Sequence, residues 1–477
     1  MQNTHSIWTY VDAKRQEFEA LSDRVWAMPE TCYMEVRSVA EHTAELERQG
    51  FRVTQNVAGI PTAVMGEAGD EGPVIAILGE YDALPGLSQE AGVAEHRPVE
   101  ANGNGHGCGH NLLGAGAMLA ATAVKDWLAA NGVKARVRYY GCPAEEGGAG
   151  KTFMVKAGAF DDVDLAFCWH PECFAEVTQA SSLANSRCDF TFTGRASHAA
   201  GSPHLGRSAL DAVELMNVGV NYMREHMPSD CRVHYAMIDG GGIAPNVVQA
   251  TAKVRYSIRS PNLPGMRDLV ARVHRIAQGA AMMTDTKVEM TVLSAVSNLL
   301  GNKPLEDLMW KNLSRLGPPE FDEADRAFAR DIQKTLSEDD IADAYARFGL
   351  GEPQDKALCD IVVAPEIVRP PMMGSTDVAD VSWVVPLVQM NGATCAIGTP
   401  FHSWQLTAQG KSPAAKKGMV HVAKVIAATA ADALMDPGFI PAAKADLARR
   451  TARTPYVCPI PDGVEAPVAA MASKGAA

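Results

Sequence analysis

Four short apolar runs break off abruptly into chemically versatile residues, and this repeated transition most constrains the fold. Val74–Leu78 ends in Gly79-Glu80-Tyr81-Asp82, and Ala135–Gly141 in Pro143-Ala144-Glu145-Glu146. Val163–Trp169 ends in His170-Pro171, and Ala393–Ile397 in Gly398-Thr399-Pro400-Phe401-His402. Val74–Leu78, short and without polar alternation, reads as a buried strand, and the other three read as strands too. Residues 8–50 read as two helices, and Leu112–Ala129 as a helix closed by Asn131-Gly132. The alternation predicts an α/β fold, a sheet with helices on both faces. Its strand ends then lie on the edge where open α/β sheets bind ligands.

On that edge falls Gly105-His106-Gly107-Cys108-Gly109-His110-Asn111. Thiolate and imidazole both suit a borderline cation such as zinc, and the glycines let the backbone wrap closely. Cys108, His110, Glu146, His170 and His402 share the predicted edge, and five such donors could hold two divalent ions with the thiolate between them. Neighbours on an extended chain point opposite ways, so Glu145 and Glu146 need distinct roles. One can ligate while the other faces the attacking water as general base.

Between residues 186 and 296 the pattern changes. Cys188–Phe192, Arg232–Met237, Val247–Ile258 and Lys287–Leu293 read as strands, and Ser208–Arg224 and Gly265–Gln278 as helices. That order, βαββαβ, is the split arrangement of a ferredoxin-like module. It predicts a domain of residues 186–296 inserted into one formed by 1–185 and 297–477. The chain returns through a helix at Pro304–Leu316. An acidic segment, Glu320–Asp343, follows and reads as helical, a charged and largely solvated insertion.

At 477 residues the chain is expected to form more than one domain. A formal charge of −13 argues against nucleic acid or an anionic membrane as partner. The start lacks the pattern of a signal peptide, and no apolar run reads as long enough to span a bilayer. The ten cysteines are irregularly spaced, with Cys142, Cys168, Cys188 and Cys395 in expected strands. They read as reduced and buried, in a cytoplasmic protein.

Gly79-Glu80-Tyr81-Asp82-Ala83-Leu84-Pro85, Cys108-Gly109-His110-Asn111, Pro143-Ala144-Glu145-Glu146-Gly147 and Gly194-Arg195-Ala196-Ser197-His198-Ala199-Ala200 together resemble the aminoacylase/carboxypeptidase-type co-catalytic metallopeptidases. The likeness is to their amidohydrolase branch, which includes hippurate and auxin-conjugate hydrolases. It covers nearly the whole chain and implies a dinuclear metallopeptidase-like fold whose inserted module is a lid and dimerisation domain. It implies Cys108, His110, Glu146, His170 and His402 as ligands of two divalent ions, manganese or zinc, with Glu145 as the base. Asp82 would orient a ligand, and Asn246 and Arg259 would bind a substrate carboxylate. His198 would reach the partner subunit's site and stabilise the oxyanion. Asn111 is a departure, since the branch often has aspartate there. The implied activity is hydrolysis of N-acyl or N-aroyl amino acids, of the aminobenzoyl-glutamate or auxin-aspartate kind, by a metal-activated water. The implied assembly is a homodimer or a heterodimer with a homologous subunit. Two other readings stand beside it: a thiol hydrolase with Cys108 as nucleophile, and a regulatory subunit that depends on a homologous partner.

Overall fold

The side chains of the runs Val74–Leu78, Ala135–Gly141 and Val163–Trp169 go to two cores, so the sheet they form is covered on both faces. In a computed structural model, residues 5–371 and 373–469 are described. The strands are β1 (Arg52–Gln55), β2 (Val64–Ala68), β3 (Val74–Glu80), β4 (Arg136–Cys142), β5 (Leu165–Glu172) and β6 (Ala175–Val177). They continue as β7 (Ala184–Thr193), β8 (Arg232–Asp239), β9 (Thr251–Ser260), β10 (Lys287–Val296), β11 (Val362–Val363) and β12 (Leu387–Ala393). Ile75, Ile77, Tyr139, Phe167 and Trp169 pack on one face with the helices Trp8–Trp26, His110–Asn131 and Pro413–Met435. Val74, Ala76, Leu78, Tyr140 and Cys168 pack on the other, with Gly150–Lys156 and Val378–Val384.

This sheet has eight strands in the order β1-β2-β4-β3-β5-β12-β6-β11. Its central strands β4, β3, β5 and β12 are parallel, so their carboxyl ends share one edge. Antiparallel pairing of β1 with β2, β2 with β4, and β6 with β12 makes the sheet mixed.

After β6 the chain builds a second, four-stranded sheet in the order β10-β7-β9-β8, every pair antiparallel. Phe190, Val254 and Tyr256 pack there against Met216 and Val220 of the helix Ala209–Arg224, and Val273 and Ala277 of Leu263–Thr284. The order βαββαβ is the one read from the sequence. Its third strand begins at Thr251 rather than Val247.

Three sequence expectations are corrected. Ala393–Ile397 is not a strand: β12 is Leu387–Ala393, and Cys395, Ala396 and Ile397 belong to a loop. Their apolar side chains serve a separate core with Phe321, Ile332, Tyr345 and Phe348. The acidic segment is helical as expected but not merely solvated: its two helices, Glu323–Gln333 and Glu338–Arg347, are each opened by a capping box and each bury one side. Finally, two helices, His110–Asn131 and Pro413–Met435, are long and apolar enough to cross a membrane, yet both are mostly buried inside the protein. Lys125 and Asp126 fall inside the apolar window of the first.

The helix His110–Asn131 approaches β3 closely through Gly114. A Cβ there would lie 2.5 Å from the Glu80 carbonyl oxygen and 2.7 Å from His42 Cε1. Alanine ordinarily favours a helix over glycine by about 1 kcal/mol, but forced overpacking costs about 1–3 kcal/mol. Gly114→Ala is expected to lower the urea midpoint with an unchanged m-value. A raised midpoint would contradict the close approach.

Candidate metal centre

The parallel edge collects the side chains that the strand ends carry. Gly109, at φ +79°, turns the chain into the helix whose first residue is His110. His110 Nδ1 lies 2.9 Å from Asp82 Oδ1. A carboxylate only accepts, so Nδ1 carries a proton and Nε2 is the atom left to face a ligand; against burial, Cys108, Asp82 and Glu80 raise the pKa of the ring. His170, inside β5 rather than past its end, places Nδ1 2.8 Å from the carbonyl of Pro171. The same logic turns its Nε2 lone pair inward, 3.4 Å from Cys108 Sγ.

Glu145 and Glu146 follow β4 on a loop strained at Ala144 (φ +60°). Glu35 accepts from the amides of Tyr33 and Ala144, both at 2.9 Å, and so pins that loop. The amide of Glu146 donates to Asp82 Oδ2 at 2.9 Å, so Asp82 ties the glutamate loop to His110. His402, also left-handed at φ +57°, donates its amide to the Gly107 carbonyl at 2.8 Å. Gln333 from the insertion donates to the carbonyl of Ile397 at 3.0 Å and braces the loop that carries His402. His402 Nε2 ends 3.4 Å from Glu146 Oε2.

Donor atoms within 4.8 Å of one another form three groups: Cys108–His110–His170, Cys108–Glu146–His402 and Glu80–His110–Glu145. All five sequence-predicted ligands are thus brought together, and Cys108 is shared by the first two groups. His110 Nε2, Glu80 Oε2 and Glu146 Oε1 are buried without a hydrogen-bond partner. Two ligands of one tetrahedral ion, each roughly 2.0–2.3 Å away, lie roughly 3.3–3.6 Å apart. The separations of 3.4 Å for Cys108–His170 and 3.4 Å for Glu146–His402 match that spacing. The donor set fits two divalent cations.

Burial, with Glu80 and Glu146 close by, raises the Glu145 carboxyl well above the usual range. Burial also raises Glu146, and it raises the Cys108 thiol, to which Glu146 adds. Beside these groups opens a cavity of about 240 Å³, lined by Glu145, Glu146, His402, Arg187, Arg259 and Ser375 among others. Arg259 has no carboxylate partner among the described residues, and its Nη1 donates only to Ser375 Oγ at 3.5 Å. Burial lowers its pKa. It therefore differs from a strand arginine held in a surface ion pair.

Two predicted residues lie elsewhere. His198 and Asn246 are exposed on the four-stranded unit, side by side, with the Ala199 amide donating to the Asn246 carbonyl at 3.0 Å. Neither lines the cavity. His198 Nδ1 accepts from the amides of Ala200 and Gly201, and the helix beginning at Ala209 is capped by Ser208 instead. Asn111 points away from the centre, donating to Ser22 Oγ and the Gly410 carbonyl, both at 3.0 Å. Sequence reasoning missed Glu80, Lys151, Asp377 and Arg187. Period-2 alternation could have found Arg187, which lies two residues from Asn185, the register partner of Arg259.

The model of peptidase family M20/M25/M40 matches residues 76–472. The chain belongs to this family. It is 47% identical over 465 residues to one of the subunits of the p-aminobenzoyl-glutamate hydrolase of Escherichia coli K12, covering 95% of this chain and 96% of that one. It is 28% identical to the Xaa-Arg dipeptidase of Mus musculus, over 90% of this chain and 88% of that one. Its fold is also that of a Bacillus subtilis protein described as a dinuclear metal binding peptidase from the M20 family. That structure has a TM-score of 0.55 and 17% identity, covering 87% of this chain and 99% of that one. The chain is therefore a hydrolase acting on amide bonds.

Cys108 and Glu146 must lose protons to ligate, and burial raises both. Titration of metal-free protein with Mn²⁺ or Zn²⁺ is expected to release protons, with affinity falling as pH drops from about 8 to about 6. Affinity independent of pH would contradict this ligand set.

Proposed function

We propose that the protein is a dinuclear metal-dependent amidohydrolase that cleaves the amide of N-acyl or N-aroyl amino acids, p-aminobenzoyl-glutamate among them. The observation that carries this reading is one cleft lined both by Glu145, Glu146 and His402 of the donor cluster and by the carboxylate-free Arg259. Cys108, His110, Glu146, His170 and His402 would hold the two ions, manganese or zinc. Bound there, the ions supply Lewis-acid activation of water and of the scissile carbonyl.

Glu145 takes the proton from the attacking water and returns it to the departing amide nitrogen. Its raised pKa brings the carboxyl closer to the protonation balance that such a shuttle needs. Arg259, with Arg187 beside it, pairs with the free carboxylate of the substrate, which favours N-acyl amino acids over plain amides. Residues 186–296 act as the lid and dimerisation domain. His198 and Asn246, exposed in one chain, serve the site of a second copy or of a homologous subunit. An oxyanion donor in that role is worth about 3 kcal/mol.

A second reading is favoured by the 47% identical relative, which is a subunit of its hydrolase: catalysis by this chain depends on a homologous partner. Hydrolysis assayed with the chain alone and with a homologous subunit separates the two. The thiol-hydrolase reading is disfavoured by the burial of Cys108 and its raised thiol pKa, although His170 lies 3.4 Å away. Chelator inhibition reversed by added metal distinguishes it.

Glu145→Gln is expected to keep bound metal and to lose about 10²–10⁴-fold in kcat. Wild-type turnover in that variant would overturn the base assignment. Arg259→Ala is expected to raise KM for N-acyl glutamates and leave KM for the matching uncharged amides unchanged. An equal rise for both would remove its role in carboxylate binding.

A further inference from the structure

Glu80 ends β3 with its side chain only 2% exposed, and its two oxygens face different partners. Oε1 accepts from Lys151 Nζ at 2.6 Å. Oε2 has no hydrogen-bond donor and lies 3.2 Å from His110 Nε2. His110 Nδ1 lies 2.9 Å from Asp82, so Nε2 is the ring atom that faces Oε2, and neither Nε2 nor Oε2 has a hydrogen-bond partner. In a water-poor interior two such atoms need a positive charge between them, and the donor atoms of Glu80, His110 and Glu145 all lie within 4.8 Å of one another. A divalent ion shared by the two atoms supplies that charge, and 3.2 Å is the spacing of neighbouring ligands on one ion.

Lys151 belongs to the same arrangement. Its side chain is fully buried, and Nζ lies 2.7 Å from Asp377 Oδ1, while its amide donates to Asp377 Oδ2 at 2.8 Å. Asp377 thus grips both ends of Lys151, and the ammonium cannot leave Oε1 of Glu80. With Oε1 anchored, the carboxylate has one orientation, which turns Oε2 toward His110. A buried ammonium between two buried carboxylates is weak evidence for stability as such, because desolvation offsets much of the attraction. Its directional effect on Glu80 is what the geometry shows.

We propose that Glu80 is a sixth protein ligand, on the ion shared with His110, and that the Lys151–Asp377 pair is the positioning device that holds its carboxylate there. This rests on the metal-centre reading above. The test is the number and affinity of bound ions, measured by elemental analysis and by competition with a chromophoric chelator, using Mn²⁺ and Zn²⁺ as probes. Wild-type protein is expected to bind two ions per chain. Glu80→Gln, which keeps size and an acceptor for Lys151, is expected to weaken one ion at least 10–100-fold and leave the other unchanged. Lys151→Met with Asp377→Asn removes one charge of each sign. It therefore leaves the net charge unaltered while it frees Glu80 Oε1, with about tenfold weakening expected at the same ion. If Glu80→Gln does not fold, Glu80→Asp keeps the charge and withdraws the oxygen by one methylene, with the same expected loss.

Two ions bound by Glu80→Gln with wild-type affinities would overturn the proposal and leave the metal centre standing. No ion bound by the wild type would overturn the metal centre itself. Wild-type affinity in the double variant, with loss in Glu80→Gln, would keep the ligand and remove the positioning role of the pair.

Discussion

A crowd of buried acids facing a buried ammonium is the constraint on which the rest of this structure depends. Glu80, Asp82, Asp377 and the thiol of Cys108 are all buried, and Glu145 and Glu146 stand beside them. Lys151 is enclosed with them. Left to themselves such groups take up protons, and the raised Glu145, Glu146 and Cys108 have that character. Two divalent cations would settle the imbalance with the ligand types already in place. The same charge that makes the cluster costly to bury makes it a strong cation site.

The fold brings the cluster together with few devices. Parallel pairing of β4, β3, β5 and β12 sends the ends of four separated stretches to one edge. Asp82 binds His110 through one oxygen and the Glu146 amide through the other, so both arms move as one. The close fit of Gly114 against the Glu80 carbonyl sets the depth of the helix that carries His110. Even the insertion contributes: its core and Gln333 brace the loop that delivers His402. The second sheet closes the cleft with Arg187 and Arg259.

Glu146 and His170 were legible because they stand at the ends of apolar strands, and Cys108 and His110 because they share a glycine-rich loop. The βαββαβ unit was legible because its periods switch cleanly between two and 3.6 residues. Glu80 was hidden because a glutamate after a strand reads as the first polar residue of a loop. Lys151 was hidden because a lysine in a short helix reads as solvated, and only the fold reveals carboxylates on both sides of it. The loop at Cys395-Ala396-Ile397 was misread as strand because its apolar residues serve the core under the insertion, whose own residues read as a charged surface. Sequence alone could not place His198 and Asn246, whose exposure on the four-stranded unit only the fold shows.

Anomalous diffraction from crystals of the protein loaded with Mn²⁺ or Zn²⁺ tests the central claim most directly. Two peaks per chain are expected, roughly 3.5–4 Å apart, with Cys108 Sγ between them and His110 and His402 on opposite sides. A single peak, or peaks away from Cys108, would contradict the dinuclear centre.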